Sequence, residues 1–220
     1  MMKFLKKSKP RSYPKYWKNY ERFFEQKLPK TISENRFVVL DTETTGFDFK
    51  KDRVLSIGAV SVQSNAIAVQ DSFEVYLKQQ TFNPKTVEIH GLLKEGKLEK
   101  VEAEEGIKRL LKYLDNSVIV AHHAYFDIMM LNKMLERHGL PNLKNKVLDT
   151  GVLHQRTRLS SNLIDNKKVF TLDELTELLN ISKKDRHTAS GDAYITAIAF
   201  LKILQRLKEK GMPDVLNKLF

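Results

Sequence analysis

Short apolar runs bounded by polar residues recur along the chain at the length of buried strands. The first is Phe37-Val38-Val39-Leu40, and Gly46 follows soon after it. The other runs with this pattern cover residues 54–62, 66–77, 118–121 and 146–150. The first three runs lie close together in the sequence, and connections this short favour antiparallel hairpins.

Helical periodicity fills the segments between and after these runs. The predicted helices cover residues 84–90, 99–114, 126–134, 152–156, 172–179 and 190–207. In the second of them, acids occupy the first turns, and Ile107, Leu110 and Leu114 lie on one stripe. The order of elements predicts an α/β fold with a mixed five-stranded sheet, which has an antiparallel and a parallel part and is flanked by helices.

A basic and aromatic extension, residues 1–35, precedes the first strand, and we expect it to be partly helical. Four aromatic residues recur there at helical spacing, namely Tyr13, Trp17, Tyr20 and Phe24. This stripe favours packing onto the main domain, and the alternative is a platform on which nucleic-acid bases stack. The chain is therefore divided into the extension, a main domain over residues 36–210 and a tail over residues 211–220.

Positive charge is concentrated at the start of the chain. The formal net charge is +11, of which residues 1–36 carry +8 and the remainder +3. A segment with this charge either attracts a polyanion such as nucleic acid or serves as a solubilising tail.

Composition also limits which metals the protein can bind and in which cellular compartment we expect it. The chain has no cysteine, so disulfides and thiolate metal sites are excluded, and any metal must bind oxygen or imidazole, as Mg²⁺ and Mn²⁺ do. No apolar run approaches the ~18 residues of a membrane span, and the basic N-terminus lacks the apolar core of a signal peptide. The expected location is the cytoplasm, without contact to a membrane.

Four acids occupy the ends of predicted strands or the starts of predicted helices. Asp41 and Glu43 follow the first strand and, being two residues apart, point to the same face. Asp127 begins the helix after a buried strand, and Asp192 lies in the first turn of the last helix, five residues after His187. In α/β folds such positions converge at one edge of the sheet. Clustered carboxylates repel each other unless a divalent cation binds between them.

Three sequence blocks carry these residues, and together they resemble a known family. The blocks are Asp-Thr-Glu-Thr-Thr-Gly (41–46), His-His-Ala-Tyr-Phe-Asp (122–127) and His-Thr-Ala-Ser-Gly-Asp (187–192). In order and spacing they resemble the DEDD exonucleases. The spacing of the last block is similar to the DEDDh, or DnaQ-like, branch, which includes the proofreading ε subunit of bacterial DNA polymerase III, ribonuclease T and oligoribonuclease.

The resemblance implies a ribonuclease H-like fold and a 3′–5′ exonuclease. It assigns Asp41, Glu43, Asp127 and Asp192 as ligands of two Mg²⁺ or Mn²⁺ ions, with His187 as the general base. These four acids and the histidine are the implied catalytic residues. The implied substrate contacts are Thr44, Thr45, Phe47, His90 and Phe126. Core packing is the alternative role for the two phenylalanines, and a structural role at a helix end is the alternative for His90.

The expected reaction is the release of nucleoside 5′-monophosphates from a 3′ end. Single-stranded DNA or frayed ends in repair or proofreading are favoured over RNA. The alternatives are an exoribonuclease that trims RNA 3′ ends or degrades short oligoribonucleotides, and a nucleic-acid-binding module or polymerase accessory subunit. Association with a polymerase is possible on this resemblance, and the sequence leaves the oligomeric state open.

Overall fold

The computed structural model describes residues 12–79, 91, 98–158 and 168–220. Within these residues the strands are Phe37–Thr44 (β1), Val54–Gln63 (β2), Ala66–Leu77 (β3), Lys100–Val101 (β4), Val118–Ala121 (β5) and Val147–Asp149 (β6). The α-helices are Lys15–Phe23 (α1), Ala103–Leu114 (α2), Ala124–Arg137 (α3), Thr150–Thr157 (α4), Leu172–Leu179 (α5) and Ala189–Glu209 (α6), and a 3₁₀ turn covers Leu216–Lys218. The helix predicted over residues 84–90 lies outside the described residues.

All strands join one mixed sheet in the order β4-β3-β2-β1-β5-β6. Strands β1, β2 and β3 are antiparallel neighbours, whereas β5 is parallel to β1 and β6 is parallel to β5. The mixed sheet was predicted correctly, but its predicted number of five strands was too low. The strand that was not predicted is β4 (Lys100–Val101), which runs parallel to β3. It has only two residues, which is too short for an alternating pattern to reveal.

Apolar side chains of β1 point alternately to two cores, one on each face of the sheet. Val38 and Leu40 belong to the first core, which they share with helices α1, α2 and α3. Phe37 and Val39 belong to the second core, where the ring of Phe37 lies 5.1 Å from that of Phe200 on α6. Because both faces are covered, β1 is buried along its apolar run, and this packing fixes the position of its C-terminal end.

Helix α1 packs against the first core rather than standing apart from it. Trp17 and Tyr20 are 0% and 1% exposed. The hydroxyl of Tyr20 donates to Oδ1 of Asn145 at 2.6 Å and accepts from the backbone N–H of Lys144 at 2.8 Å. The structure therefore supports the packing interpretation of the aromatic stripe.

Leu216, near the other end of the chain, is buried in the second core.

Gly58 of β2 lies directly against the start of α6. A Cβ atom at this position would collide with the backbone of Ala189 and Ser190. A glycine inside a strand often marks such a close approach of another backbone. The contact fixes the first turn of α6 over the sheet, next to the end of β1. None of the helices in the described residues is long and apolar enough to cross a membrane.

Candidate active site

Two carboxylates project from the C-terminal end of β1, where Asp41 and Glu43 alternate with the buried Thr42. One oxygen each of Asp41, Glu43 and Asp192 can be chosen so that all three lie within 4.8 Å of one another. Side chains from β1 and α6, about 150 residues apart in the sequence, thus form a single acidic cluster. Three oxygens at this separation can surround one divalent cation.

Asp127 joins this cluster from the first turn of α3. It is 4% exposed, and its Oδ1 accepts hydrogen bonds from the backbone N–H and from the hydroxyl of Thr42 at 3.0 and 2.7 Å. Because β5 is parallel to β1, the helix that follows β5 begins beside the end of β1. The two hydrogen bonds hold Asp127 against the strand segment that carries Asp41 and Glu43.

Asp149, at the end of β6, stabilises the start of α3 by hydrogen bonding. Oδ2 of Asp149 accepts from the backbone N–H of Ala124 at 2.8 Å, and its Oδ1 accepts from that of Gly151 at 2.7 Å. One carboxylate therefore caps two helix starts. His122 has a structural role as well, since its ring nitrogens lie 2.9 Å from Oγ1 of Thr150 and from the carbonyl oxygen of Phe170.

Asp192 is positioned by the turn that precedes α6. Thr188 caps this helix by accepting a hydrogen bond from the N–H of Gly191. The backbone N–H of His187 donates to Oδ2 of Asp192 at 3.3 Å. Gly191 allows the turn to close, because a Cβ atom there would collide with the carbonyl oxygen of Asp185. The residues of the third sequence block are thus needed for the shape of this turn as well as for its acid.

His187 lies in this turn with a left-handed backbone (φ 68) and is exposed. Its backbone contacts Asp192, and its side chain is exposed on the turn that precedes α6. An exposed imidazole can receive a proton and pass it to solvent. The role of His187 as general base stays a prediction.

The carboxylates destabilise each other's charged forms. Burial raises the pKa of Asp41 well above its ordinary value, and the charges of Asp127, Asp192 and Glu43 raise it further. Burial and the charge of Asp192 raise the pKa of Glu43 to about 7. Burial also raises the pKa of Asp127. A divalent cation would reverse this effect, and an all-oxygen donor set is the one that Mg²⁺ and Mn²⁺ prefer.

Arg186 supplies a positive charge to the cluster, and the sequence analysis missed it. Its Nη1 lies 2.5 Å from Oδ1 of Asp192, and its Nε donates to Oδ1 of Asp173 on α5 at 2.9 Å. Its charge lowers the pKa of both Asp41 and Glu43. One feature of the sequence could have indicated this role of Arg186. It immediately precedes His187, so a cation lies next to a predicted acidic site.

The predicted substrate contacts have different environments. Thr44 and Thr45 are buried, and the backbone N–H of Thr45 donates to the carbonyl oxygen of Arg53 at 2.9 Å. Phe47 is 76% exposed, and its ring lies 5.6 Å from the half-buried ring of Phe126. His90 lies outside the described residues. Of the predicted contacts that the structure describes, Phe47 is therefore the one whose ring is most open to a ligand.

Comparison with protein families gives a match over most of the chain. A family model described as an exonuclease matches residues 38–200. The match begins on β1 and ends inside α6, so it spans all four clustered acids. The resemblance on which the sequence analysis relied is confirmed by this finding.

Curated relatives include much longer proteins. The chain is 33% identical over 187 residues to a PolC-type DNA polymerase III from Caldanaerobacter subterraneus subsp. tengcongensis, covering 83% of this chain and 12% of that protein. It covers only 12–13% of each of the first four relatives, all of which are PolC-type polymerases.

Solved structures share the fold. E. coli exonuclease I in complex with a dT13 oligonucleotide matches with a TM-score of 0.67 at 20% identity, covering 81% of this chain and 43% of that chain. Exonuclease X in complex with 5′ overhanging duplex DNA matches with a TM-score of 0.59 at 20% identity, covering 81% of this chain and 95% of that chain. The predicted ribonuclease H-like fold is therefore confirmed.

Proposed function

Because the chain belongs to the exonuclease family whose model spans residues 38–200, we propose that it hydrolyses phosphodiester bonds at the 3′ end of nucleic acid and releases nucleoside 5′-monophosphates. The observation that carries this proposal is the convergence of Asp41, Glu43, Asp127 and Asp192. These acids come from three separate segments, and burial opposes the charge of the cluster. A fold does not keep such a cluster for stability alone, since like charges near a core are unfavourable.

The four carboxylates would hold two divalent ions, Mg²⁺ or Mn²⁺. When bound, such a pair activates a water and stabilises the leaving oxygen of an in-line displacement at phosphorus. The chain's own contribution is to fix the ligands before substrate arrives. Thr42 holds Asp127, and the turn around His187 holds Asp192. His187 takes up the proton of the attacking water and passes it to solvent.

Single-stranded DNA, or a frayed 3′ end, is the substrate that we favour. The related solved structures hold a dT13 oligonucleotide in one case and 5′ overhanging duplex DNA in the other. The PolC-type relatives are DNA polymerases, which favours a role in proofreading or repair and a polymerase as a partner. The exposure of Phe47 beside Phe126 supports this choice, because an exposed ring can stack on an unpaired terminal base.

The direct test measures mononucleotide release from 3′-labelled DNA and RNA oligomers of equal sequence, single- and double-stranded. Each oligomer is incubated with Mg²⁺, with Mn²⁺ or with EDTA. We expect single-stranded DNA to be degraded fastest and EDTA to stop the reaction. The variants Asp41→Asn and Asp192→Asn should lose at least about a hundredfold in rate and remain folded by circular dichroism. Undiminished release by either variant would show that the active site lies elsewhere.

A further inference from the structure

Four aromatic rings form a continuous row next to the acidic cluster. The ring of Phe126 lies 5.6 Å from that of Phe47 and 5.8 Å from that of Phe49, and the ring of Phe49 lies 5.9 Å from that of Tyr125. We call these four residues the aromatic ledge. Two of them, Phe49 and Tyr125, have no role in the proposed function so far.

The ledge has a half-buried middle and two exposed ends. Phe49 and Phe126 pack against the first core, whereas Phe47 and Tyr125 are 76% and 70% exposed. An exposed ring contributes little to the stability of the fold, because it buries little apolar area. Contiguous exposed apolar surface usually marks a site of interaction. The exposed rings therefore indicate a ligand-binding surface rather than a structural role.

The loop that carries Phe47 and Phe49 is fixed by hydrogen bonds along its length. Nη2 of Arg137, at the end of α3, donates to the carbonyl oxygens of Phe49 and Lys50 at 2.9 and 3.0 Å. Oδ2 of Asp52 accepts from the backbone N–H of Asp48 at 2.8 Å. The rings of Tyr125 and Phe126 contact the same loop from the start of α3. A surface held in this way loses little conformational entropy when a ligand binds.

Two rings of the ledge are close in the sequence to the carboxylates. Phe126 immediately precedes Asp127, and Phe47 lies four residues after Glu43. Tyr125 is at the end of the row opposite Phe47, and the exposed Lys50 follows Phe49 on the loop. A row of rings with a cation along its side matches the requirements of a single strand, in which bases stack on aromatic faces and phosphates contact lysines.

We propose that Phe49 and Tyr125 form a second stacking surface, which binds the unpaired bases immediately upstream of the 3′-terminal nucleotide. This inference rests on the proposed function, because it assumes that a strand enters with its 3′ end at the carboxylates. Stacking is independent of base identity, since every base has a π face. It requires the base to be unpaired from its complement, so the ledge selects for several unpaired nucleotides at the 3′ end rather than for a sequence.

The test uses full-length Asp192→Asn protein with Mg²⁺, so that strands stay intact during the measurement. Oligonucleotides carry 2-aminopurine at the first, second or third position from the 3′ end, and quenching of its fluorescence reports stacking. In this background Tyr125→Ala should weaken binding about tenfold and reduce quenching at the second or third position while leaving the first unchanged. Phe47→Ala should have its main effect at the first position.

Two control variants separate stacking from other effects. Tyr125→Phe keeps the ring and should retain binding and quenching. Phe220→Ala removes a ring that is 50% exposed and lies over Lys146, at the opposite end of β6 from Asp149, and it should change nothing. Unchanged affinity and quenching in Tyr125→Ala, or no quenching in the parent protein, would contradict the proposal that bases stack on the aromatic ledge.

The ledge and the proposed function can fail separately. If wild-type protein releases mononucleotides but Tyr125→Ala quenches and binds as its parent does, the ledge is wrong and the exonuclease stands. If quenching depends on Tyr125 but wild-type protein releases no mononucleotide with either metal, the ledge is supported as a single-strand binding surface and the exonuclease is wrong.

Discussion

Burial is the largest cause of the raised pKa values of Asp41, Glu43 and Asp127. The pKa of Glu43 rises from an ordinary value of 4.5 to about 7 in the folded protein. The folded state therefore binds more protons than the unfolded state between these two values, and stability must fall as pH rises through this interval. Without a divalent cation, the protein should thus be less stable at neutral pH than at pH about 5.

Glu43→Gln tests this pH dependence directly. In EDTA, the free energy of unfolding of the wild type should drop by roughly 3 kcal/mol more than that of the variant between pH about 5 and about 8. Urea denaturation at each pH provides the measurement. Mn²⁺ added at the higher pH should restore stability in the wild type, because the cation favours the charged carboxylates. Parallel pH profiles for the two proteins in EDTA would contradict the raised pKa.

Arg186 is a second residue whose role follows from its contacts. Its side chain is 15% exposed, and that of Asp192 is 9% exposed. Removing one partner of a buried pair typically costs about 3–5 kcal/mol, and we expect Arg186→Gln to fall at the lower end of this range because water reaches Asp173. Since the ion would replace the missing charge, Mn²⁺ should raise the melting temperature of Arg186→Gln more than that of the wild type.

Lys183→Gln is the matched control for Arg186. Lys183 forms an exposed ion pair with Glu177 at 2.8 Å, and losing such a pair costs at most about 1 kcal/mol. Differential scanning fluorimetry in EDTA and in Mn²⁺ compares the three proteins. Equal stabilisation of all three by Mn²⁺ would show that Arg186 does not act as a counter-charge in the cluster.

At the level of secondary-structure elements, helix α1 contributes to the core although it precedes the matched family domain. Trp17→Ala should lower the free energy of unfolding by about 3–5 kcal/mol, because it leaves a large cavity between α1 and α2. Among the described residues, Nε1 of Trp17 has no hydrogen-bond partner. Trp17→Phe should therefore cost less than the alanine variant. Lys18→Ala, on the exposed side of the same helix, should stay within about 0.5 kcal/mol of the wild type.

The contact between β2 and α6 determines where Asp192 lies. Gly58→Ala would push the start of α6 away from the sheet, because the new Cβ atom meets the backbone of Ala189 and Ser190. A displacement of about 1 Å can reduce a rate about a hundredfold. We therefore expect a large loss of mononucleotide release and weaker binding of Mn²⁺ by calorimetry.

Gly106→Ala serves as the control for Gly58. This glycine lies in α2, and its added Cβ atom would meet the Cδ2 atom of the buried Leu77 side chain rather than a backbone. Activity should be retained, because the cost of moving Leu77 falls on the core and not on the turn that carries Asp192. If Gly58→Ala keeps full activity, the position of Asp192 does not depend on this contact.

For the molecule as a whole, the sequence predicted the mixed sheet and the convergence of the acids, because both follow from short apolar runs and fixed motif spacing. It did not reveal β4, which has two residues, or Arg186, whose partners Asp173 and Asp192 lie on different helices. The aromatic ledge was missed for a similar reason. Its rings come from two segments about 75 residues apart, and only folding brings them into contact. The division at residues 35 and 210 stays a prediction.

The basic residues at the start of the chain bear on binding by the whole protein. Deleting residues 1–35 would remove Trp17 and Tyr20 from the first core, so it would test folding rather than binding. Substitution of the cations within residues 1–11, which lie outside the described residues, leaves Trp17 and Tyr20 in the chain. The cations there are Lys3, Lys6, Lys7, Lys9 and Arg11.

Replacing these five cations by glutamine should weaken single-strand binding and reduce its salt dependence. Each phosphate contact contributes about 0.7 to the slope of log K against log salt concentration, so the slope should decrease by up to about 3.5. Fluorescence anisotropy of a labelled oligonucleotide over a salt series measures it. Lys202→Gln with Lys208→Gln, on the exposed side of α6, should leave the slope unchanged. If the N-terminal variant also keeps the wild-type slope, those cations do not contact phosphates, and the positive charge of the N-terminal segment does not contribute to strand binding.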